Sequence, residues 1–131
     1  MIYWKKTTGR KPCFCIYMNA DMRDENILRH VLNWYMQIGE AHDQYDHSRQ
    51  AFAENSAYRN AVSMCVFQIC ELMNHLSDDF RNAHPEIPRQ QIRGMRNLFA
   101  HDYGNMDTVS IWETACQDIP EIEMFCRRIT G

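Results

Sequence analysis

The stretch "RNLFAHDY", residues 96–103, sets an arginine, an asparagine, a histidine and a tyrosine within eight positions, just before Gly104. Arginine is a permanent cation whose parallel N–H donors fit phosphate oxygens. Histidine changes charge near neutral pH, so it can take up and return a proton. Together they suit cleavage of a phosphodiester by an internal nucleophile. A ribose 2′-hydroxyl attacks the adjacent phosphorus, His101 moves the proton, Asn97 supports, and Arg96 stabilises charge growing on the phosphoryl oxygens. DNA lacks that hydroxyl and would be inert. The step asks for no metal and no organic cofactor, and no carboxylate cluster suited to a metal is evident. A plainer reading stands beside this one. Arg96 could pair with an acid or cap carbonyls, and His101 could be a satisfied, half-buried residue.

The elements that must position these residues read as helices. On an ideal helix Arg96 and His101 lie roughly 140° apart and need not share a face. Asn97 and His101, four apart, do share one, and Arg96 and Tyr103, seven apart, would align if the helix ran that far. The spacing predicts a helix opened by Asp24 as N-cap, with Ile27, Leu28, Val31, Tyr35, Ile38 and His42 recurring at three and four. A second starts near Asn55 or Ser56, with Ala57, Ala61, Met64, Cys65, Gln68, Ile69, Leu72 and Leu76 as its inner stripe. The prolines of "HPEIP", residues 84–88, break it, and Pro88 suits the first turn of a third helix. That helix runs through Ile92, Met95 and Phe99 to a stop at Gly104. Its apolar stripe faces either a second copy of the chain or the chain's own core. Asp107 or Thr108 caps a fourth helix with Val109, Trp112, Ala115 and Cys116 inward; Pro120 restarts the chain into a short last helix carrying Ile122, Phe125 and Ile129. No stretch alternates with period two between turn signals. The class is all-α, an up-down bundle of four to five helices.

The chain has 131 residues, enough for one domain, and a net charge of −3 from 14 basic and 17 acidic side chains. That argues against a generic DNA-coating protein. The charge is uneven: residues 81–101 hold Arg81, Arg89, Arg93 and Arg96 against Glu86 alone, whereas residues 102–124 hold six acids and no lysine or arginine. Such a local field can draw in an anion, and Arg89 and Arg93 are the further candidates for RNA phosphate. Six cysteines occur: Cys13, Cys15, Cys65, Cys70, Cys116 and Cys126. With no secretory signal in view they read as free thiols of a reducing, cytoplasmic compartment. Cys65 and Cys70 read as core. Cys13-x-Cys15 lacks a second ligand pair, so no metal site is expected. No apolar run is long enough to span a membrane. Residues 1–21 are basic and unpatterned, so they read as a flexible extension or as residues ahead of a natural start at Met22, with the domain proper at 22–131.

"IRGMRNLFAHDY" followed by "WETACQDIPEIE" resembles the HepT toxins of the HEPN superfamily. The likeness extends back through "HPEIP" and "QICELMNHLSDDFR" and covers roughly residues 22–129. The superfamily motif is an arginine with a polar residue directly after it, then a histidine, matching Arg96, Asn97 and His101; Tyr103 matches a tyrosine that the HepT subgroup adds. The resemblance implies an all-α HEPN-like bundle and a homodimer whose motif helices meet across a two-fold axis. It implies a metal-independent endoribonuclease toxin of a type VII-like toxin–antitoxin pair, acting on RNA, tRNA among the candidates. It also implies a cognate MntA-type nucleotidyltransferase that silences the toxin by adenylylating Tyr103. The alternative is a partner subunit of a small nucleotidyltransferase that holds nucleotide or substrate without cleaving RNA. Two departures stand out. Ile69-Cys70-Glu71-Leu72 replaces the family's "IGEA", which should push neighbouring helices or the dimer seam apart, and Arg89 stands where a tryptophan is common.

Overall fold

The structure is a computed structural model and describes residues 20–131. Among these residues every regular element is helical: α1 (Ala20–Gln44), α2 (Arg49–Glu54), α3 (Ser56–Asn74), α4 (Asp78–Ala83), α5 (Arg89–His101), a 3₁₀ turn at Tyr103–Asn105, α6 (Thr108–Glu113), a π-helical stretch at Thr114–Asp118, and α7 (Ile119–Thr130). The all-α bundle is as expected. The expected N-terminal extension lies outside the described residues up to residue 19, and α1 already includes Ala20 and Asp21.

Caps explain most of the starts. Ser48, Asn55, Ser77 and Asp107 each accept a hydrogen bond from an orphan backbone N–H in the first turn of α2, α3, α4 and α6. Asp24 is a correction. It does not cap α1 but lies inside it, only 1% exposed. Its carboxylate accepts from the Ser77 backbone N–H at 2.9 Å and the Ser77 hydroxyl at 2.6 Å. Ser77 in turn accepts from the Phe80 N–H at 3.1 Å. Beside it Arg23 donates to the His75 carbonyl at 2.9 Å. The start of α1 is thereby fastened to the α3–α4 turn more than fifty positions away.

α3 is the central helix, packed against α1 on one side and α5 on the other. Two neighbours require a wide buried arc, so the narrow stripe expected for this helix is corrected. Tyr58, Val62, Val66, Ile69, Cys70 and Met73 are buried along with Cys65 and Leu72, while Ala57, Ala61 and Met64 are exposed. Cys70 and Leu72, the bulkier residues of the altered "IGEA" segment, thus sit inside this chain's own core. Along α6 and the π-helical stretch after it the inward residues are Ile111 and Ala115, with Trp112 and Cys116 half-buried and Val109 turned outward. Pro120 does not restart the chain. The helix from Thr108 continues through it because the coil widens beforehand: the Ile119 N–H donates to Thr114, five residues back. A proline lacks the N–H for an ordinary bond and its ring presses on the carbonyl four residues earlier, a conflict that a wider turn relieves.

Candidate active site

α5 carries the motif, and its two sides differ sharply. Ile92 (1% exposed) and Phe99 (7%) face the core, with Met95 packed beside them. Burying each such side chain contributes about 1.5–3 kcal/mol. The apolar stripe of α5 therefore faces this chain's own core, not a second copy. On the other side Arg89, Arg93 and Arg96 fall within about 60° of one another, and Asn97 and His101 continue the band. Arg89, Arg93, Asn97 and His101 are exposed, and Arg96 is half-buried at the edge of the core. A groove of about 700 Å³ opens elsewhere on α5, toward α7, and the motif residues do not line it.

Arg96 reaches across to α3. Its Nε donates to Glu71 Oε1 at 2.6 Å, and its Nη1 donates to Asn97 Oδ1 at 3.3 Å. The guanidinium carbon lies 5.8 Å from the centre of the Phe67 ring. Glu71, 7% exposed, keeps its other oxygen 3.4 Å from His75 Nε2. Burial alone would raise the Glu71 carboxyl, but the hydrogen bond and charge of Arg96, with His75 behind, outweigh it and hold the group below the usual carboxylate range. The site thus contains a charged arginine fixed at its Nε edge by a buried carboxylate and half-open at its terminal nitrogens. Glu71 was missed in the sequence. Its signal was an acid within the apolar run Ile69–Met73, where an unpaired charge would be costly.

His101 is the last residue of α5 and is exposed, without a hydrogen bond or ion pair to the described residues. No hydrogen bond joins it to Arg96 or Asn97 within the chain. The helix also ends earlier than expected. Asp102 closes α5 with φ −135° and ψ 16°, and Gly104 sits in the following 3₁₀ turn. Tyr103 therefore leaves the helical register that would have aligned it with Arg96. Its ring stacks on Phe99, centroids 6.1 Å apart at 24°, and its hydroxyl donates to Asn60 Oδ1 on α3 at 2.5 Å. The tyrosine is half-buried, and its partner is a side-chain amide.

α3 is thus joined to α5 by Glu71–Arg96 and to the turn after α5 by Asn60–Tyr103, eleven residues or about 16 Å apart along α3. Arg96 and Asn97 are brought together, Arg89 and Arg93 extend the same band, and His101 and Tyr103 flank the end of α5.

Comparison with known proteins follows the same segments. The sequence profile of the family described as ribonuclease HepT-like matches residues 22–129. A protein of Methanocaldococcus jannaschii named as a candidate RNase is 36% identical over 78 residues, 60% of this chain and 67% of that protein. Another named as a candidate RNase, from Caldanaerobacter subterraneus, is 36% identical over 82 residues, 63% of this chain and 73% of that one. A protein of Thermococcus cleftensis named as a candidate ribonuclease HepT is 34% identical over 63 residues, 48% of this chain and 57% of its own length. No solved structure matches. The profile covers most of the chain, including the whole of α5 and its motif: the chain belongs to the ribonuclease HepT-like family.

Proposed function

We propose that the chain is an endoribonuclease toxin that cleaves RNA by attack of a ribose 2′-hydroxyl on the adjacent phosphorus. The observation that carries this reading is Arg96, fixed in place by buried Glu71 on the same helix band as exposed His101. In the step, the 2′-oxygen bonds to phosphorus as the bond to the 5′-oxygen breaks. His101 moves the proton between these oxygens, Arg96 receives the phosphoryl charge, and Asn97 holds the Arg96 fork. Arg89 and Arg93 bind flanking phosphates. The products are a 2′,3′-cyclic phosphate and a 5′-hydroxyl.

The wide separation of Arg96 and His101 around one helix is met by pairing two chains, so that two motif helices line one cleft. Exposed Ala57, Ala61 and Met64 support this. They fall within about 60° of one another on α3 and adjoin the row Asn60, Phe67, Glu71 that faces the motif. Tyr103 is the site at which a MntA-type nucleotidyltransferase silences the toxin by transferring AMP to its hydroxyl, setting a bulky anion beside the cleft.

A second reading, a nucleotide-holding subunit without cleavage, draws on the Glu71 carboxylate, which offsets part of the Arg96 charge. One experiment separates the two. Purified protein is given a labelled RNA, the same RNA carrying a single 2′-deoxy residue at the cleaved position, and the matching DNA. Cleavage of the first alone, with cyclic-phosphate ends, is the expected result. Bound but intact RNA would favour the second reading.

A further inference from the structure

The N-terminal end of α3 faces a group of side chains that the ribonuclease reading does not use. His42 lies in the last turn of α1, His47 in the turn before α2, and Cys116 in the π-helical stretch. Each offers one donor atom, and the three atoms lie within 4.8 Å of one another. The two imidazole rings are 4.1 Å apart, and the Trp112 ring stands edge-on to both, 5.6 Å from each. His42 Nδ1 is 2.5 Å from the Tyr58 hydroxyl.

Two of the three donors sit on unusual backbone. Asp46 and His47 have φ of 55° and 52°, consecutive left-handed residues that are not glycine. Cys116 rides on the widened π turn. Both departures recur at functional sites. The end of α1, the turn directly after it and the distant π-helical stretch thus bring two imidazoles and a thiol to one small volume.

We propose that His42, His47 and Cys116 bind one zinc(II) ion, with the fourth coordination position open to solvent. Two imidazoles and a thiolate are the donor set a borderline-soft d¹⁰ ion prefers, and hard cations such as magnesium avoid it. With Nδ1 of His42 held by Tyr58, Nε2 is the nitrogen left for the metal, and Tyr58 is the outer partner that fixes the ring. Zn–N bonds of about 2.0–2.1 Å and a Zn–S bond of about 2.3 Å place tetrahedral donors roughly 3.5 Å apart. The donors must close by about an ångström, a movement open to exposed His47. Cys116 releases its proton to solvent on binding. Tyr58 and Glu71 are thirteen residues apart, about 20 Å along α3, so this site is separate from Arg96. Its effect is to tie the end of α1 and the α1–α2 turn to the helix that follows Thr108.

The test uses the full chain, untagged and with reduced thiols, titrated with cobalt(II) and then zinc(II). The expected result is one cobalt per chain, with intense visible bands of tetrahedral geometry and a near-ultraviolet thiolate-to-cobalt band. Zinc should bleach both and raise the melting temperature. Cys116→Ser should abolish the thiolate band, and His47→Gln should weaken binding at least tenfold. Neither residue is fully buried, so both variants are expected to fold, which circular dichroism checks. The double variant Cys13→Ser, Cys15→Ser should bind as the parent does. A thiolate band that survives Cys116→Ser, a band lost with Cys13 and Cys15, or no bound cobalt in excess metal would each overturn the site.

Discussion

The two ends of α3 handle their polar groups in opposite ways. Toward its C-terminus, Glu71 gathers Arg96 and His75 at the edge of the core, with the carboxylate ion-paired to the arginine. Toward its N-terminus, Tyr58 is fully buried, with Tyr45 stacked on it at 4.4 Å and Phe52 edge-on at 5.1 Å. There burial, assisted by His47, pushes His42 down to about 4, and burial pushes the Tyr58 hydroxyl up to about 12. Buried charge without a counter-charge is costly, so this end keeps its imidazole neutral and joined to a hydroxyl. At the other end the Arg96 guanidinium is held by a carboxylate where water can still reach it. The same contrast separates the two histidines: His101 is exposed at the end of α5, whereas His42 is buried against Tyr58.

The largest effect should come from breaking the charged end. His101→Ala is expected to lower RNA cleavage by about 10²–10⁴-fold, a typical loss for one proton-transfer group. Because His101 is exposed and makes no ion pair among the described residues, the variant's unfolding midpoint should not move. Arg96→Ala should lower the rate by a similar factor, about 10²–10³, but should also destabilise the fold, since it takes from the buried Glu71 carboxylate its short ion-paired hydrogen bond. Glu71→Gln keeps an acceptor for Arg96 Nε and should cost less activity than Arg96→Ala. Rates on a labelled RNA, read beside denaturant midpoints, check all three. A fully active His101→Ala protein would remove the catalytic assignment.

The next effect belongs to the neutral end. His42 has a folded pKa of about 4 against an ordinary value of 6.5. Between those values the unfolded chain takes up a proton that the folded chain refuses, so stability falls as the pH falls. The contribution is fully present above about 6.5 and is lost progressively toward 4. A shift of this size corresponds to something on the order of 3 kcal/mol. Urea midpoints at pH 7.5 and pH 5 should show the fall, and His42→Gln should flatten that part of the profile while remaining less stable at pH 7.5. An unchanged slope in the variant would show that another group controls acid unfolding.

Much of the fold was legible because helices announce themselves locally. Asn55 and Asp107 cap where their types and positions suggested, and the core residues of α1 follow its periodicity. What was not legible depended on tertiary contacts. Asp24 looks like an N-cap, but it sits inside α1 and accepts a hydrogen bond from the backbone N–H of Ser77, across the bundle. Ala57, Ala61 and Met64 fit an inner stripe until α1 and α5 are both placed against α3. At the site, the motif residues could be chosen by type and spacing. The ion pair to Glu71 could not, because nothing in a linear pattern says which helix an arginine will cross to. Nor could the spacing show that α5 stops at His101 and sends Tyr103 back to Asn60.

The smallest expected effect on the fold is at Tyr103, and it tests whether the tie between α3 and the turn after α5 is structural or regulatory. The Tyr103 hydroxyl donates one hydrogen bond, to Asn60 Oδ1. Removing one such bond at a partly exposed site costs about 0.5–1.5 kcal/mol. The ring contact with Phe99 does not need the hydroxyl, so Tyr103→Phe should keep the helix content, lose little stability, and cleave RNA at the parent's rate. A phenol is a poor base at neutral pH, its ordinary pKa being near 10, which is why no catalytic loss is expected. An adenylyl transfer would act differently. The phenolic oxygen attacks the α-phosphorus of ATP, pyrophosphate leaves, and the proton passes to the transferase. The hydroxyl must leave Asn60 to do so, and the half-buried position at the end of α5 allows that without unfolding the helix. If the proposed adenylylation holds, Tyr103→Phe should therefore escape silencing by the transferase and show none of the mass gain expected of the parent with transferase and ATP. Asn60→Ala should leave the acceptor in place and still be modified. Adenylylation and silencing that persist in Tyr103→Phe would move the acceptor elsewhere and leave Tyr103 as a strut between two helices.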